Sequence, residues 1–246
     1  MGMNQMLQLL KQMGGKLYGQ NPGALSNSSD FSKAAYIRNL QRELKKKDVL
    51  NIPLKELPVI VFDMETTGFY PYNGDRILSI GAVKMIGAEI QKEDLFYRTV
   101  KYDVPLSHDI MELTGLTSFE LQRAAPLESV LRHFFQFVKS DTLVAHHSSH
   151  EKQFMKHASW TILKTNFQHR IIDTSFLTKV IVPEVKYVTL DDWCSYYNIE
   201  VSKRHHALYD ALATARIWSI CIQRVEQMGF RNLKDAYTHI ASLPSS

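Results

Sequence analysis

Cysteine is scarce in this 246-residue chain, which has only Cys194 and Cys221. Two thiols without CxxC spacing make neither a disulfide framework nor a thiolate metal site, so both are expected as packed side chains. Also missing is any run of about 18 uninterrupted apolar residues, which argues against a membrane-crossing helix. The first residues lack the charged-then-apolar pattern of a secretory leader, and the cytoplasm is the expected compartment. Met1-Gly2 invites N-myristoylation, but Met6 stands where that signal needs Ser or Thr. No internal repeat is present. Strong overall charge is lacking too. The net +4 is local, because residues 1–50 hold eight Lys or Arg against three Asp or Glu, leaving 21 against 22 elsewhere.

What the chain does have is 45% apolar composition, enough for one good core. The expected organisation is a basic helical extension with a linker (1–55), a main domain (56–228), and a C-terminal helix and tail (229–246). Within the extension, a Met- and Leu-rich helix (3–13) precedes the Gly-, Asn- and Ser-rich stretch YGQNPGALSNSSD (18–30) and a second helix from about Phe31 to Asp48. The cluster RELKKKD is either a solvated helix face or an arm for phosphates or an acidic surface. A Met-rich amphipathic helix beside a flexible linker also suits docking to a protein partner.

From Leu57 the pattern becomes alternating strands and helices. LPVIVFDME reads as a buried central strand, with RILSIGAVKMI (76–86) and EDLFYRTVKY (93–102) following as an antiparallel meander. Helical pieces come next, the clearest at 126–140, before strand character returns in TLVAHH (142–147). Further helices are expected at about 149–161, 174–180, 189–196 and 206–227. This order implies an α/β fold with a mixed sheet flanked by helices.

The stretch VFDMETTG (61–68) places Asp63 and Glu65 at the end of the first strand. Residues i and i+2 of a strand point the same way, and ligands gather at the carboxyl ends of strands in open α/β sheets. Two adjacent buried acids repel unless a cation compensates, and hard oxygen donors suit Mg²⁺ or Mn²⁺. Alone, the pair reads equally as a solvated strand end. A glycosidase acid pair is a poor alternative, because DxE spacing sets the acids too close.

Together with LVAHHSSHEKQFM (143–155), IIDT (171–174) and HHALYDALATARIW (205–218), FDMETTG resembles the DnaQ-like family of 3′ to 5′ exonucleases, in its DEDDh branch. The likeness runs from about Leu57 to Met228. It implies a ribonuclease H-like, five-stranded mixed sheet and a metal-dependent nuclease that holds two Mg²⁺ or Mn²⁺ ions. By that resemblance Asp63, Glu65, Glu151 and Asp210 are the metal ligands and catalytic acids, and His205 is the general base, with His206 the alternative. Met64, Thr66 and Thr67 hold the terminal nucleotide, and Leu113 to Leu116 occupies the wedge region, with Thr114 where many members carry His. The second motif departs from the family: Glu151 stands in place of Asp, His147 in place of Asn and His150 in place of Phe. His147 and His150 are expected as cap or packing residues, the alternative being that one joins the site, and Phe69 and Tyr70 as core, the alternative being that they stack on a base. The implied partner is a single-stranded or frayed 3′ end of DNA or RNA, since a near-neutral catalytic region does not favour tight duplex binding. The alternative is a binding module that keeps the fold but has lost turnover through Glu151.

Overall fold

The computed structural model describes residues 48–242, so the expected helices at 3–13 and 31–48 and the linker between them lie outside the described residues. A five-stranded sheet runs through the domain in the order β3-β2-β1-β4-β5. Its strands are β1 (Pro58–Thr66), β2 (Ile77–Ile86), β3 (Glu89–Thr99), β4 (Thr142–Ala145) and β5 (Ile171–Asp173). The first three form the expected antiparallel meander, while β4 pairs parallel to β1 and β5 parallel to β4. Eight helices are described: α1 (His108–Thr114), α2 (Ser118–Arg123), α3 (Leu127–Val138), α4 (Ser148–Leu163), α5 (Thr174–Ile181), α6 (Leu190–Tyr196), α7 (Ala207–Gln227) and α8 (Leu233–Ser242).

Alternation along β1 sorts two cores onto opposite faces of the sheet. Ile60, Phe62 and Met64 join Phe134 of α3 and Phe154 and Met155 of α4. Val59 and Val61 join Ile217, Trp218 and Ile222 of α7, with Leu177, Trp193 and Leu233 from α5, α6 and α8. Asp63 and Glu65 continue the second series, so they face α7. Cys194 and Cys221 are free and buried in this same layer, as expected of packed thiols.

The third strand begins earlier than the pattern suggests, at Glu89 rather than residue 93. The connection is only Gly87 and Ala88, and Gly87 has a left-handed φ of 57° that closes the hairpin at once. Because β3 is a largely exposed edge, Glu89 to Asp94 show no apolar alternation to reveal it. The expected strand at 142–147 stops at Ala145, because His147 turns the chain with a φ of 58° into α4.

Two features open a cleft at the end of β1. Its pairing with β4 ends at Val61 with Val144, so Asp63 to Thr66 run past their neighbour. A bulge between Glu65 and Thr66 then bends the strand where pairing with β2 shifts register. On the other side, Gly81 lies directly across from Asp63 in β2, and a β-carbon there would overlap the peptide joining Ala207 to Leu208. The absent side chain lets the first turn of α7 rest on the sheet beside the acids. Gly81→Ala is therefore expected to lower stability by about 1–3 kcal/mol, as overpacking against stiff backbone does. Denaturant unfolding checks this, and wild-type stability of the variant would remove the role given to Gly81.

Candidate metal-dependent nuclease site

Three segments distant in sequence meet at this cleft. Asp63 and Glu65 come from β1 and Asp210 from the first turn of α7, and each offers a carboxylate oxygen within 4.8 Å of the others. Glu65 and Asp210 are buried and Asp63 is partly exposed. Glu151, also buried, stands in the first turn of α4, which begins just beyond the short β4. It lies outside the 4.8 Å group, yet its charge, after burial, helps raise the Asp63 pKa.

Electrostatics mark these acids as a strained set. Burial first, then Glu151, Glu65 and Asp210, raise the Asp63 pKa well above the carboxylate range. Burial and Asp210 push Glu65 up to about 8, and Glu151 likewise rises to about 8, chiefly through burial. Asp210 Oδ1 and Glu151 Oε2 are buried without a hydrogen-bond partner among the described residues. Buried acceptors with no donor are costly, and a hard cation satisfies both the charge and the open lone pairs. With no His or Cys in the group, the donors fit Mg²⁺ or Mn²⁺ better than zinc.

His205 closes the loop before α7. Its backbone N–H donates to Asp210 Oδ2 at 2.9 Å, and its φ of 55° is a left-handed conformation that costs a residue with a β-carbon about 1–3 kcal/mol. His206 instead stacks on Tyr97 with ring centroids 4.4 Å apart, a packing role. His147 caps α4 in the left-handed region and sits edge-on to His146. His146 is structural: its Nε2 donates to the Val188 carbonyl at 2.8 Å, its Nδ1 lies 2.7 Å from the Thr174 hydroxyl, and burial lowers its pKa.

The nucleotide-contact residues fall into different settings. Met64 buries its side chain in the core, so only its backbone borders the cleft. Thr66 donates its hydroxyl to the Gly68 carbonyl at 2.7 Å and lies 3.4 Å from Nε2 of His150, whose ring packs against Phe154 and Phe69. Thr67 is committed to the following turn: its N–H bonds the Arg76 carbonyl, and its hydroxyl bonds Asp75 while accepting from the Arg76 N–H. Thr114 is buried in the end of α1, donating to the Ile110 carbonyl and accepting from the Leu116 N–H.

Phe69 and Tyr70 are not core; they are 74% and 65% exposed. The sheet ends at Thr66, and the chain beyond it is pinned by Asp75, which accepts from the Tyr70 N–H; Phe69 touches α4 only edge-on, through His150 at 5.7 Å between ring centroids. Sequence reasoning also missed two charged residues. Asp173 accepts from the N–H groups of Ser148 and Ser175, fixing the starts of α4 and α5. Burial works upward on its pKa, but these donors outweigh it and hold the pKa low. Arg204 pairs with both Asp210 and Asp191. Its signal was a cation directly before the paired histidines.

This acidic cleft on a ribonuclease H-like sheet defines a class of phosphodiester hydrolases. The exonuclease family model RNase_T matches residues 60–218, and the chain belongs to that family. It is 37% identical over 163 residues to DNA polymerase III PolC-type of Bacillus subtilis (strain 168), a match covering 66% of this chain and 11% of that one. The chain thus spans about a tenth of the length of the curated relatives it matches. Among solved structures, the nuclease domain of 3′hExo, a DEDDh family member, bound to rAMP, superposes with a TM-score of 0.57 at 19% identity, covering 68% of this chain and 92% of that one. Exonuclease X in complex with 5′ overhanging duplex DNA gives 0.54 at 23% identity, covering 74% and 98%. Both share the fold.

Raised carboxyl pKa values carry a sign for stability. The folded state binds these protons more tightly than the unfolded chain, so the stabilisation is full below the ordinary value of 4.5 and is lost as pH rises through about 8. In chelator, the melting temperature is expected to fall as pH rises from 5 to 8.5, and Glu65→Gln should flatten that slope. Differential scanning fluorimetry across this range measures it; a flat wild-type profile would contradict the buried-acid account.

Proposed function

We propose that this domain is a metal-dependent 3′ to 5′ exonuclease that hydrolyses the last phosphodiester bond of a single-stranded or frayed end. The observation that carries the reading is the convergence of Asp63, Glu65 and Asp210, with Glu151 beside them, into one pocket of oxygen donors. These four side chains would hold two Mg²⁺ or Mn²⁺ ions, which in nucleases stabilise the attacking and leaving oxygens of an in-line displacement. His205, on the loop bonded to Asp210, would take the proton from the attacking water, a task suited to imidazole near neutral pH. The charge of Glu151, which raises the Asp63 pKa, supports turnover over the alternative of an inactive binding module.

For the substrate, the unpaired edge of β1 from Asp63 to Thr66 offers backbone groups to the terminal nucleotide. A cavity of about 480 Å³ opens beside His206, lined by Tyr97, Leu116, Phe119, Arg123 and Lys203, which supply ring faces and positive charge for a nucleotide. Exposed Phe69, Tyr70 and Tyr72 add further ring faces on which a base could stack. Likeness to part of a DNA polymerase favours DNA ends over RNA ends. Among the described residues no helix is long and apolar enough to cross a membrane. We assign the activity to the cytoplasm and give the basic segment 1–50 the role of docking a protein partner.

End-labelled single-stranded DNA and RNA incubated with protein and Mn²⁺ or Mg²⁺ test the reading. Stepwise shortening from the 3′ end is expected, absent in Asp63→Asn and Asp210→Asn, and about 10² to 10⁴-fold slower in His205→Ala. Glu151→Asp should keep activity that Glu151→Gln loses. No shortening above the Asp63→Asn background, with either ion and either nucleic acid, would leave the binding-module alternative standing.

A further inference from the structure

Arg204 joins two helices through their acids. Its Nη1 pairs with Asp210 Oδ2 on α7, while its Nε and Nη2 donate to the two oxygens of Asp191 on α6 at 2.5 and 3.1 Å. A guanidinium's planar fork suits this double engagement in a way an ammonium cannot match. Asp210 Oδ2 is thereby taken twice, by Arg204 and by the His205 N–H. The other oxygen, Oδ1, is buried and unpartnered. Two bonds on one oxygen fix the carboxylate's rotation and leave the second oxygen free to serve the acidic pocket.

The same contacts clamp the loop that carries His205. That residue holds a left-handed backbone angle, and its neighbour Arg204 ties this loop to both α6 and α7. Asp191 is itself 61% exposed, and burial works against the Arg204 charge, yet the two carboxylates outweigh that and hold Arg204 ionised. Asp191 thus anchors the guanidinium from outside the pocket, so that Arg204 reaches Asp210 in a set orientation.

We propose that Arg204 is a positioning residue of the nuclease site, anchored by Asp191, that turns Asp210 Oδ1 toward the bound cations and holds the His205 loop in register. The inference rests on the metal-dependent reading of the site. It requires that Arg204 support cation binding, whereas a guanidinium that merely substituted for the cation would oppose it. Partners in this second layer typically change metal affinity or activity by about 10 to 100-fold when removed.

Mn²⁺ affinity of the full chain, measured by electron paramagnetic resonance titration without substrate, separates these cases. Arg204→Gln and Asp191→Asn are each expected to weaken Mn²⁺ binding and to lower kcat more than they change KM. Their combination should be no worse than Arg204→Gln alone, because they interrupt one chain of contacts. Arg204→Lys should recover little. Asp191 is exposed, so Asp191→Asn keeps the test valid should Arg204→Gln fail to fold. Unchanged or tighter Mn²⁺ binding in Asp191→Asn, with wild-type protein binding Mn²⁺ and cutting DNA, overturns this inference alone. Wild-type protein that binds no Mn²⁺ overturns the metal-dependent reading and this inference with it.

Discussion

Repulsion among acids that the fold refuses to separate is the constraint on which the rest of this structure depends. Asp63, Glu65 and Asp210 are brought within ligand distance of each other, with Glu151 adding its field from the side. In a core this arrangement would be eliminated, since an uncompensated buried charge is far more costly than an apolar residue of the same size. Here the surrounding protein supplies one guanidinium and a backbone N–H, both directed at the same oxygen of Asp210. That compensation is incomplete, for Asp210 Oδ1 and Glu151 Oε2 stay buried without a hydrogen-bond partner among the described residues.

The scaffold explains why such a set can persist. β1 extends past β4, so its acidic end is supported on one side only and a cleft forms where a sheet would otherwise continue. Gly81 lets α7 lie against the strand at the level of Asp63, and the two separate cores on either face keep β1 from shifting. Asp173 secures the start of α4, which sets the reach of Glu151, and Asp191 does a related service for α7 through Arg204. The pocket is thus held by bonds that lie one layer outside it, where side chains can be ionised at less cost.

Much of this was legible in the residues alone. The strand ending in Asp63 and Glu65, the helix opening near Asp210 and the alternating pattern between them follow from apolar periodicity and from carboxylates at a strand end. The harder part was exposure. Phe69 and Tyr70 look like core because aromatic rings usually are, but how far a ring is covered depends on how the neighbouring helix lies, and α4 meets Phe69 only edge-on through His150, leaving both rings mostly exposed. His206 and His205 are neighbours of the same type, and only the path of the backbone sends one ring onto Tyr97 and ties the other residue's N–H to Asp210.

By itself the sequence determined the chemistry on offer: oxygen ligands, an imidazole beside them, and elements of the right type and order to carry both. Those are local properties, set by side-chain identity and by periods of two and 3.6 residues. Tertiary structure alone decided which oxygens point inward, because orientation is fixed by partners remote in the chain. Arg204 shows this most clearly. In the sequence it is one cation among several, and only folding places it between Asp191 and Asp210, 13 and six residues away on different helices.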